Sequence, residues 1–374
     1  MSKYLLRIEP VEHFFFGVEK TGDLGNRKPY YMRTALFPQQ TSILGLLRYI
    51  LLLKNNLLGT NLNTIDVEKL IGIAGFPGVK PSKDKSAYGK IINIFPVFIL
   101  GENNRAYYYR PLDWKYKYEK ITNCKVSYNN DNCVEFVPFL KDYDAKKGIP
   151  EYVISQNGDS LLLEYNGEST EWVLRKEAKA GNQKSPERRF VEKKGDKKQE
   201  DDAKKEAYYK QEFLYMSKGF AYGCIVEVEN EHGLDEYKTV LPFGGERSSF
   251  SISFVELNDD SQYKFNLDPP QNKELKIELL SDTYMDNADL NHACFAICDA
   301  VAFRNLKTST KTKNYNMISD DIEDGIELSS RLQLLKKGSV FFFESDTKLG
   351  SMETAIGKHD VFTTIGYNKI RTFK

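Results

Sequence analysis

The sequence has few of the residues from which disulfide frameworks and familiar hydrolase sites are built. Its cysteines are odd in number and scattered: Cys124, Cys133, Cys224, Cys294 and Cys298. This distribution disfavours a disulfide framework and is typical of a reducing cytoplasm. The four histidines are too sparse and dispersed to reveal a catalytic triad, and GxSxG, HExxH and GxxxxGK[ST] motifs are absent.

An excess of one charge and a long apolar run are also lacking. The 53 Lys and Arg balance the 53 Asp and Glu, so the overall field does not favour nucleic acid or an anionic membrane. Any polyanion site must be local. The longest apolar segment, 43–53, contains Arg48 and is much shorter than the roughly 20 residues that span a bilayer. Arg7 and Glu9 interrupt the place of a signal peptide, so we expect a cytoplasmic protein without a membrane partner.

The one dense group of cysteine and histidine is Cys294, Cys298 and the nearby His292. A zinc site needs four ligands, usually from a second spaced pair, and the sequence offers no such pair. Free cysteine packs as a small apolar side chain. We therefore expect these cysteines in the core, and no metal or cofactor.

Local patterns predict an α+β fold, and 374 residues suggest about two domains. Apolar periodicity predicts a helix over 43–53, capped by Thr41 or Ser42, and a second helix over about 64–71. A hairpin is predicted from 91–100 and 105–110. The other predicted elements are strands at 3–9, 212–229, 249–257, 275–280 and 339–344, and a possible helix at 293–302.

Residues 175–210 are a compositional break, with 13 Lys and Arg against 8 acids and almost no apolar side chain to bury. The usual interpretation of such a run is a solvated loop. The alternative is an arm that lies along a polyanion. Strand-like sequence on both sides makes the segment an excursion between ordered elements.

Two other features bear on polyanion binding. In LPFGGERSSF, 241–250, the backbone of Gly244 and Gly245 can approach an anion closely, and Arg247 can bind a phosphate; a simple hairpin turn explains this segment equally well. The loop after the first strand carries Phe14, Phe15, Phe16, Tyr30 and Tyr31. These aromatics either stack on unpaired RNA bases or belong to the core.

Several motifs occur in a fixed order: IEPVEHFFFG, LFPQQTSILGLLRYIL, PVFILGENNRAYYYRPLDW, FLYMSKGF, FGGER and KKGSVFFFE. Together they resemble the Cmr-type subunits of type III-B CRISPR effector complexes. These are repeat-associated mysterious proteins (RAMPs) related to the Cas5-like group, which caps the 5′ handle of the crRNA.

The resemblance implies two ferredoxin-like (RRM-like) halves with antiparallel sheets and a protruding basic thumb, divided as 1–170, 171–212 and 213–374. It implies a non-catalytic subunit that holds the crRNA 5′ handle and contacts the polymerase-like large subunit and a Cas7-like backbone RAMP subunit. The first helix start, through its N–H groups, and the FGGER backbone would hold phosphates. The expected RNA-binding residues are Lys28, Arg33, Gln40, Thr41, Arg48, Arg175, Lys176, Lys179, Lys184, Arg188, Arg189, Gly244, Gly245 and Arg247.

Two alternatives remain open at the level of sequence. His13 lies in the loop after the first strand, where a general base for RNA cleavage can sit, so a RAMP endoribonuclease that processes crRNA precursor is the second hypothesis. A purely structural subunit that joins other proteins through its aromatic surface is the third.

Overall fold

The computed structural model describes these parts of the chain: 1–18, 31–59, 64–72, 85–113, 124–128, 132–136, 151–155, 157, 159–165, 167, 171–182, 208–229, 233–260, 263, 275–303, 306–308, 326–328 and 331–374.

The described residues form an α+β fold with few helices, as predicted. The α-helices are α1 Gln40–Lys54, α2 Ile65–Ile71, α3 Asp346–Gly357 and α4 Asp360–Thr364. Short 3₁₀ helices occupy Lys85–Tyr88, Glu102–Asn104 and Asn287–His292.

The strands, in chain order, are β1 Ser2–Pro10, β2 Tyr31–Met32, β3 Ile91–Ile94, β4 Phe98–Leu100, β5 Ala106–Tyr109, β6 Cys124–Tyr128, β7 Asn132–Phe136, β8 Tyr152–Ser155, β9 Ser160–Glu164, β10 Trp172–Asn182, β11 Tyr208–Met216, β12 Ala221–Val228, β13 Lys238–Pro242, β14 Ser249–Glu256, β15 Lys276–Leu279, β16 Phe295–Ile297, β17 Ala300–Phe303, β18 Leu306–Thr308, β19 Ile326–Leu328, β20 Leu332–Leu335, β21 Val340–Phe342 and β22 Ile370–Phe373.

Most of these strands belong to one large sheet. Within the described residues it has twelve strands in the order β13-β14-β1-β12-β4-β5-β8-β9-β10-β11-β2, with β3 also paired to β12. Strand β1 pairs antiparallel with β12 on one side and with β14 on the other. The sheet therefore crosses the predicted boundary between 212 and 213. The two ferredoxin-like halves and this domain division stay predictions.

The main core lies between this sheet and helix α1. Tyr4, Leu6 and Ile8 alternate along β1 and belong to the main core, whereas Leu5, on the other face of the strand, is buried in a second apolar cluster. The buried side of α1 adds apolar residues such as Ile43 and Leu47, which belong to the same cluster. This packing fixes α1 against the sheet.

A smaller sheet in the order β16-β21-β15-β22 packs against α3. The smaller sheet contains buried ion pairs. The Nζ of Lys276 lies 2.6 Å from the Asp113 carboxylate and 2.9 Å from the Glu278 carboxylate, and the guanidinium of Arg371 lies 2.8 Å from the Glu278 carboxylate. Asp113 follows β5 of the large sheet, so this ion network connects the two sheets.

Three local predictions are corrected. The predicted helix at 293–302 is instead β16 and β17, paired with β21 and β20, because a short apolar run fits either period and its strand partners decide. The N-cap of α1 is Gln39, not Thr41 or Ser42, and its side chain makes no capping hydrogen bond. The predicted hairpin holds for β4 and β5, but β3 pairs with β12.

Candidate nucleic-acid interface

A cleft of about 550 Å³ lies between one face of α1 and the turn that joins β13 to β14. It brings together two of the sequence motifs, LFPQQTSILGLLRYIL and FGGER. Its lining residues are Phe16, Gly17, Ala35, Phe37, Gln39, Ser42, Gly45, Leu46, Tyr49, Pro242, Phe243, Gly244, Gly245 and Arg247.

The α1 side of the cleft is an exposed helix face. Ser42, Gly45 and Tyr49 follow one another at spacings of three and four residues, so they share this face. Tyr49 is 43% exposed. A Cβ atom built on Gly45 meets nothing within 4 Å, so no internal packing requires a glycine there.

The opposite wall is a tight turn with unusual backbone angles. The N–H of Phe243 donates to the carbonyl of Ser248 over 2.9 Å. Glu246 and Arg247 both have φ of +56°, a left-handed conformation that costs a non-glycine residue about 1 to 2 kcal/mol. Such strain clusters at functional sites. It holds the exposed Arg247 at the rim of the cleft.

Gly244 and Gly245 have an internal packing reason that the sequence did not reveal. The N–H of Gly245 donates to the carbonyl of Phe15 over 2.8 Å. A Cβ on Gly245 would lie 2.7 Å from the Phe15 ring, and one on Gly244, where φ is +81°, would lie 2.6 Å from the Phe15 carbonyl oxygen. These glycines dock the turn onto the aromatic loop.

The start of α1 faces the protein interior. Gln40 is 6% exposed, and its Nε2 donates to the carbonyl of Phe95 over 2.9 Å. Burial raises the pKa of Tyr367. The nearby hydroxyl of Thr41 and the backbone N–H groups of Thr41 and Gln40 act to lower that pKa. The Tyr367 hydroxyl nevertheless has no well-formed hydrogen bond. The chain's own 366–367 segment thus covers the Gln40 side of this helix start, whereas Gln39 and Ser42 line the cleft on the other side.

Two other predicted cations lie apart from the cleft. The guanidinium of Arg48 donates to the carbonyls of Ile71 and Ala87 over 3.0 and 3.3 Å, so it joins α1 to the neighbouring segments. Arg33 is exposed, just after β2. Lys28, Lys184, Arg188 and Arg189 lie outside the described residues.

The beginning and end of the basic segment form a β-ribbon. Strands β10 and β11 pair antiparallel from Leu174 opposite Met216 to Asn182 opposite Tyr208. Lys176 makes an ion pair of 2.8 Å with Glu164, while Lys179 is exposed. The basic thumb stays a prediction, since most of 175–210 lies outside the described residues.

For Phe14, Phe15 and Phe16 the core interpretation is correct, whereas Tyr31 is 38% exposed and its hydroxyl donates a hydrogen bond to Glu212, and Tyr30 lies outside the described residues. Phe14, Phe15 and Phe16 are 0%, 9% and 5% exposed, and Phe14 and Phe16 each pack on Tyr222 and Phe250. They are unavailable for stacking on RNA bases because the sheet covers them.

A group of half-buried aromatics on the ribbon, near His13, was not predicted from the sequence. The His13 ring lies 4.8 Å from Phe213 and 5.8 Å from Tyr215, centroid to centroid. Phe213 and Tyr215 belong to the FLYMSKGF region, where alternation along a strand places them on the same face. The group could have been predicted from this alternation of Phe213 and Tyr215 along the strand.

The cysteine expectation is corrected in part. Cys294 is half-buried and Cys298 is exposed, because β16 and the residues after it lie at an edge of the smaller sheet. Among the described residues, no group of three or more His, Cys, Asp or Glu side chains is placed to hold a metal ion.

Comparison with known proteins identifies the family. A family model described as CRISPR-associated protein (Cas_Cmr3) matches residues 6–374. The chain belongs to the Cas_Cmr3 family. The resemblance to Cmr-type subunits is thereby confirmed for nearly the whole Cas_Cmr3 chain.

One solved structure shows a related fold. In the cryo-EM structure of the type III-B Cmr-beta bound to cognate target RNA, one chain matches with a TM-score of 0.50 and 12% identity, over 98% of this chain and 96% of that chain. In a second structure, also with AMPPnP, the TM-score is 0.47 and the identity 13%, over 98% and 95%. No curated protein sequence matches this Cas_Cmr3 chain. None of its described helices is long and apolar enough to cross a membrane.

Proposed function

We propose that this chain is a non-catalytic, RNA-binding subunit of a type III-B CRISPR effector, and that it holds the 5′ handle of the crRNA in the cleft between α1 and the 243–248 turn. The Cas_Cmr3 family and the fold shared with a chain of the target-RNA-bound Cmr-beta support this proposal. The neighbouring subunits it would contact are the polymerase-like large subunit and a Cas7-like backbone subunit.

Gly45 is the observation that carries the proposal. A glycine inside a helix costs about 0.5 to 1 kcal/mol relative to alanine, and here the surrounding space is empty. Since the chain itself does not use that space, the glycine is explained by a partner that approaches the helix backbone closely. Its position in the wall of the cleft supports a partner that binds between α1 and the turn.

The chemistry of the cleft favours RNA as that partner. Arg247 supplies a cation that can bind two phosphate oxygens, and Tyr49 offers an exposed ring for a base. Glu246 is exposed beside Arg247, and its carboxylate would repel a second phosphate on the Glu246 side of the turn. The flank of α1 and the turn thus replace the buried helix start as the proposed phosphate site.

The test is a pair of matched glycine substitutions. A Cβ atom built on Gly45, or on Gly350 of α3 away from the cleft, meets nothing within 4 Å. Gly45→Leu therefore adds an apolar side chain in the cleft, and Gly350→Leu adds the same side chain elsewhere. In complexes reconstituted with crRNA, we expect Gly45→Leu to weaken crRNA retention by more than about tenfold, equivalent to about 1.4 kcal/mol. Gly350→Leu should leave retention unchanged.

A second measurement separates phosphate contact from steric damage. Arg247→Gln should reduce the slope of log affinity against log salt concentration by about 0.7, the value for one lost phosphate contact to a single strand. Equal retention by the Gly45→Leu and Gly350→Leu proteins, with an unchanged salt slope for Arg247→Gln, would contradict RNA binding in this cleft.

A further inference from the structure

The outer face of the β10–β11 ribbon carries aromatic and cationic side chains in register. Arg175 lies opposite Tyr215, and Glu177 lies opposite Phe213. Leu174 and Leu214 point to the other side and belong to the main core. The face that carries Phe213 and Tyr215 therefore points away from the core, and both rings are only half-buried.

Three side chains surround these two rings. His13 lies against both, with its plane at 83° to Phe213. The Nζ of Lys179 is 5.2 Å from the Phe213 centroid and 5.6 Å from that of Tyr215. The guanidinium of Arg175 is 5.4 Å from the Tyr215 centroid and is also paired with Glu177.

We infer that this group, His13, Phe213, Tyr215, Arg175 and Lys179, is a stacking site for an unpaired nucleobase of single-stranded RNA. Half-exposed rings stack on any base, and neighbouring cations bind the phosphates that flank it. A base that enters displaces the Lys179 ammonium from the ring faces, and the ammonium then pairs with a phosphate. This inference rests on the proposed function, because it supplies a second contact for the same RNA.

The position of the stacking site relative to the cleft supports a single strand that contacts both. Phe15 connects them: its ring lies 6.3 Å from Phe213, and its carbonyl accepts the hydrogen bond from Gly245 in the cleft wall. The segment 175–210, which includes parts of both ribbon strands, carries 13 Lys and Arg against 8 Asp and Glu. This excess of cations favours a polyanion over an apolar protein surface at this site.

The test uses handle RNAs that carry 2-aminopurine at successive positions, bound to the assembled complex. Stacking quenches 2-aminopurine fluorescence, so we expect one or two positions to be quenched. Phe213→Leu and Tyr215→Leu should restore fluorescence at those positions and weaken handle binding roughly tenfold. Lys179→Gln removes the charge and leaves both rings in place. It should reduce the slope of log affinity against log salt concentration by about 0.7.

Phe295→Leu is the matched control. Phe295 is also a strand phenylalanine, 37% exposed, with an aromatic neighbour, Phe342, at 5.9 Å. Its substitution should change neither fluorescence nor affinity. The inference is overturned if the complex binds the handle but the quenching survives in Phe213→Leu and Tyr215→Leu and the salt slope of Lys179→Gln equals that of the parent protein. If neither the parent protein nor any variant binds the handle, the proposed function fails instead.

Discussion

Some residues near the cleft both pack against aromatic rings and have a titratable side chain. Lys337 is an example: its Nζ lies 3.1 Å from the centroid of Phe37, a cleft-lining ring, and 5.9 Å from that of Tyr109. Burial lowers the pKa of Lys337 to about 7, although Asp282 acts in the opposite direction. An unfolded lysine has a pKa of about 10.4.

This difference predicts a pH dependence of stability. Between pH 7 and about 10 the unfolded chain holds a proton on Lys337 that the folded chain has lost, so its contribution to the free energy of unfolding rises with pH in that window. Below pH 7 both states are protonated, and the contribution stays at its lowest. We expect Lys337→Met to be more stable than the parent protein near pH 6 and to lose this advantage toward pH 10.

Denaturant unfolding at several pH values checks this expectation. Lys369→Met is the comparison, since burial also lowers the pKa of Lys369. Its change in the free energy of unfolding should add to that of Lys337→Met. A constant difference between Lys337→Met and the parent from pH 6 to 10 would show that Lys337 stays charged in the folded protein.

Helix α1 presents different faces to the core and to the cleft. Its apolar residues pack on the sheet, and Gly45 lies on the opposite, exposed face. A helix that keeps a glycine on such a face gives up stability, which is a common consequence of a functional constraint.

Alanine at this position should separate stability from binding. We expect Gly45→Ala and Gly350→Ala each to raise the free energy of unfolding by about 0.5 to 1 kcal/mol, because each glycine lies inside a helix with empty space around its Cβ position. Thermal unfolding measures this gain. Only Gly45→Ala should weaken crRNA binding; equal binding by both would mean that the partner does not approach the α1 backbone closely.

The whole molecule is held together by pairings between distant parts of the chain. Strand β1 lies between β12 and β14, more than 200 residues away in sequence. The buried network of Lys276, Asp113, Glu278 and Arg371 then joins the two sheets. Removing one member of such a network leaves a buried charge without its partner.

Lys276 is the member to test, since it pairs both with Asp113, in the turn after β5, and with Glu278 of the smaller sheet. Lys276→Met leaves Asp113 and part of Glu278 uncompensated, so we expect a loss of about 3 kcal/mol or more in the free energy of unfolding. Lys348→Met, which removes only the exposed pair with Glu344, should leave it nearly unchanged. Similar stability of the two variants would show that the buried network contributes no more than a surface pair.

Local sequence patterns are sufficient to predict the elements with a strong periodic signal. Strand β1, both early helices and the β4–β5 hairpin follow from apolar periodicity and turn residues. The ordered motifs from IEPVEHFFFG to KKGSVFFFE indicated the Cmr family. FGGER was identifiable as a candidate site because glycine backbone and arginine can bind an anion, although a simple hairpin turn explained the segment equally well.

Tertiary structure decided which of these residues face a ligand. Periodicity cannot tell whether Phe14 to Phe16 lie against a sheet, and only the pairing of β1 with β12 and β14 buries them. The tertiary fold also covers Gln40, at the start of α1, with the segment that contains Tyr367, and it leaves Gly45 exposed. Gln40 and Gly45 nevertheless lie in the same sequence motif. The physical reason is that burial depends on contacts between residues distant in the chain, whereas sequence patterns report only the preferences of neighbours.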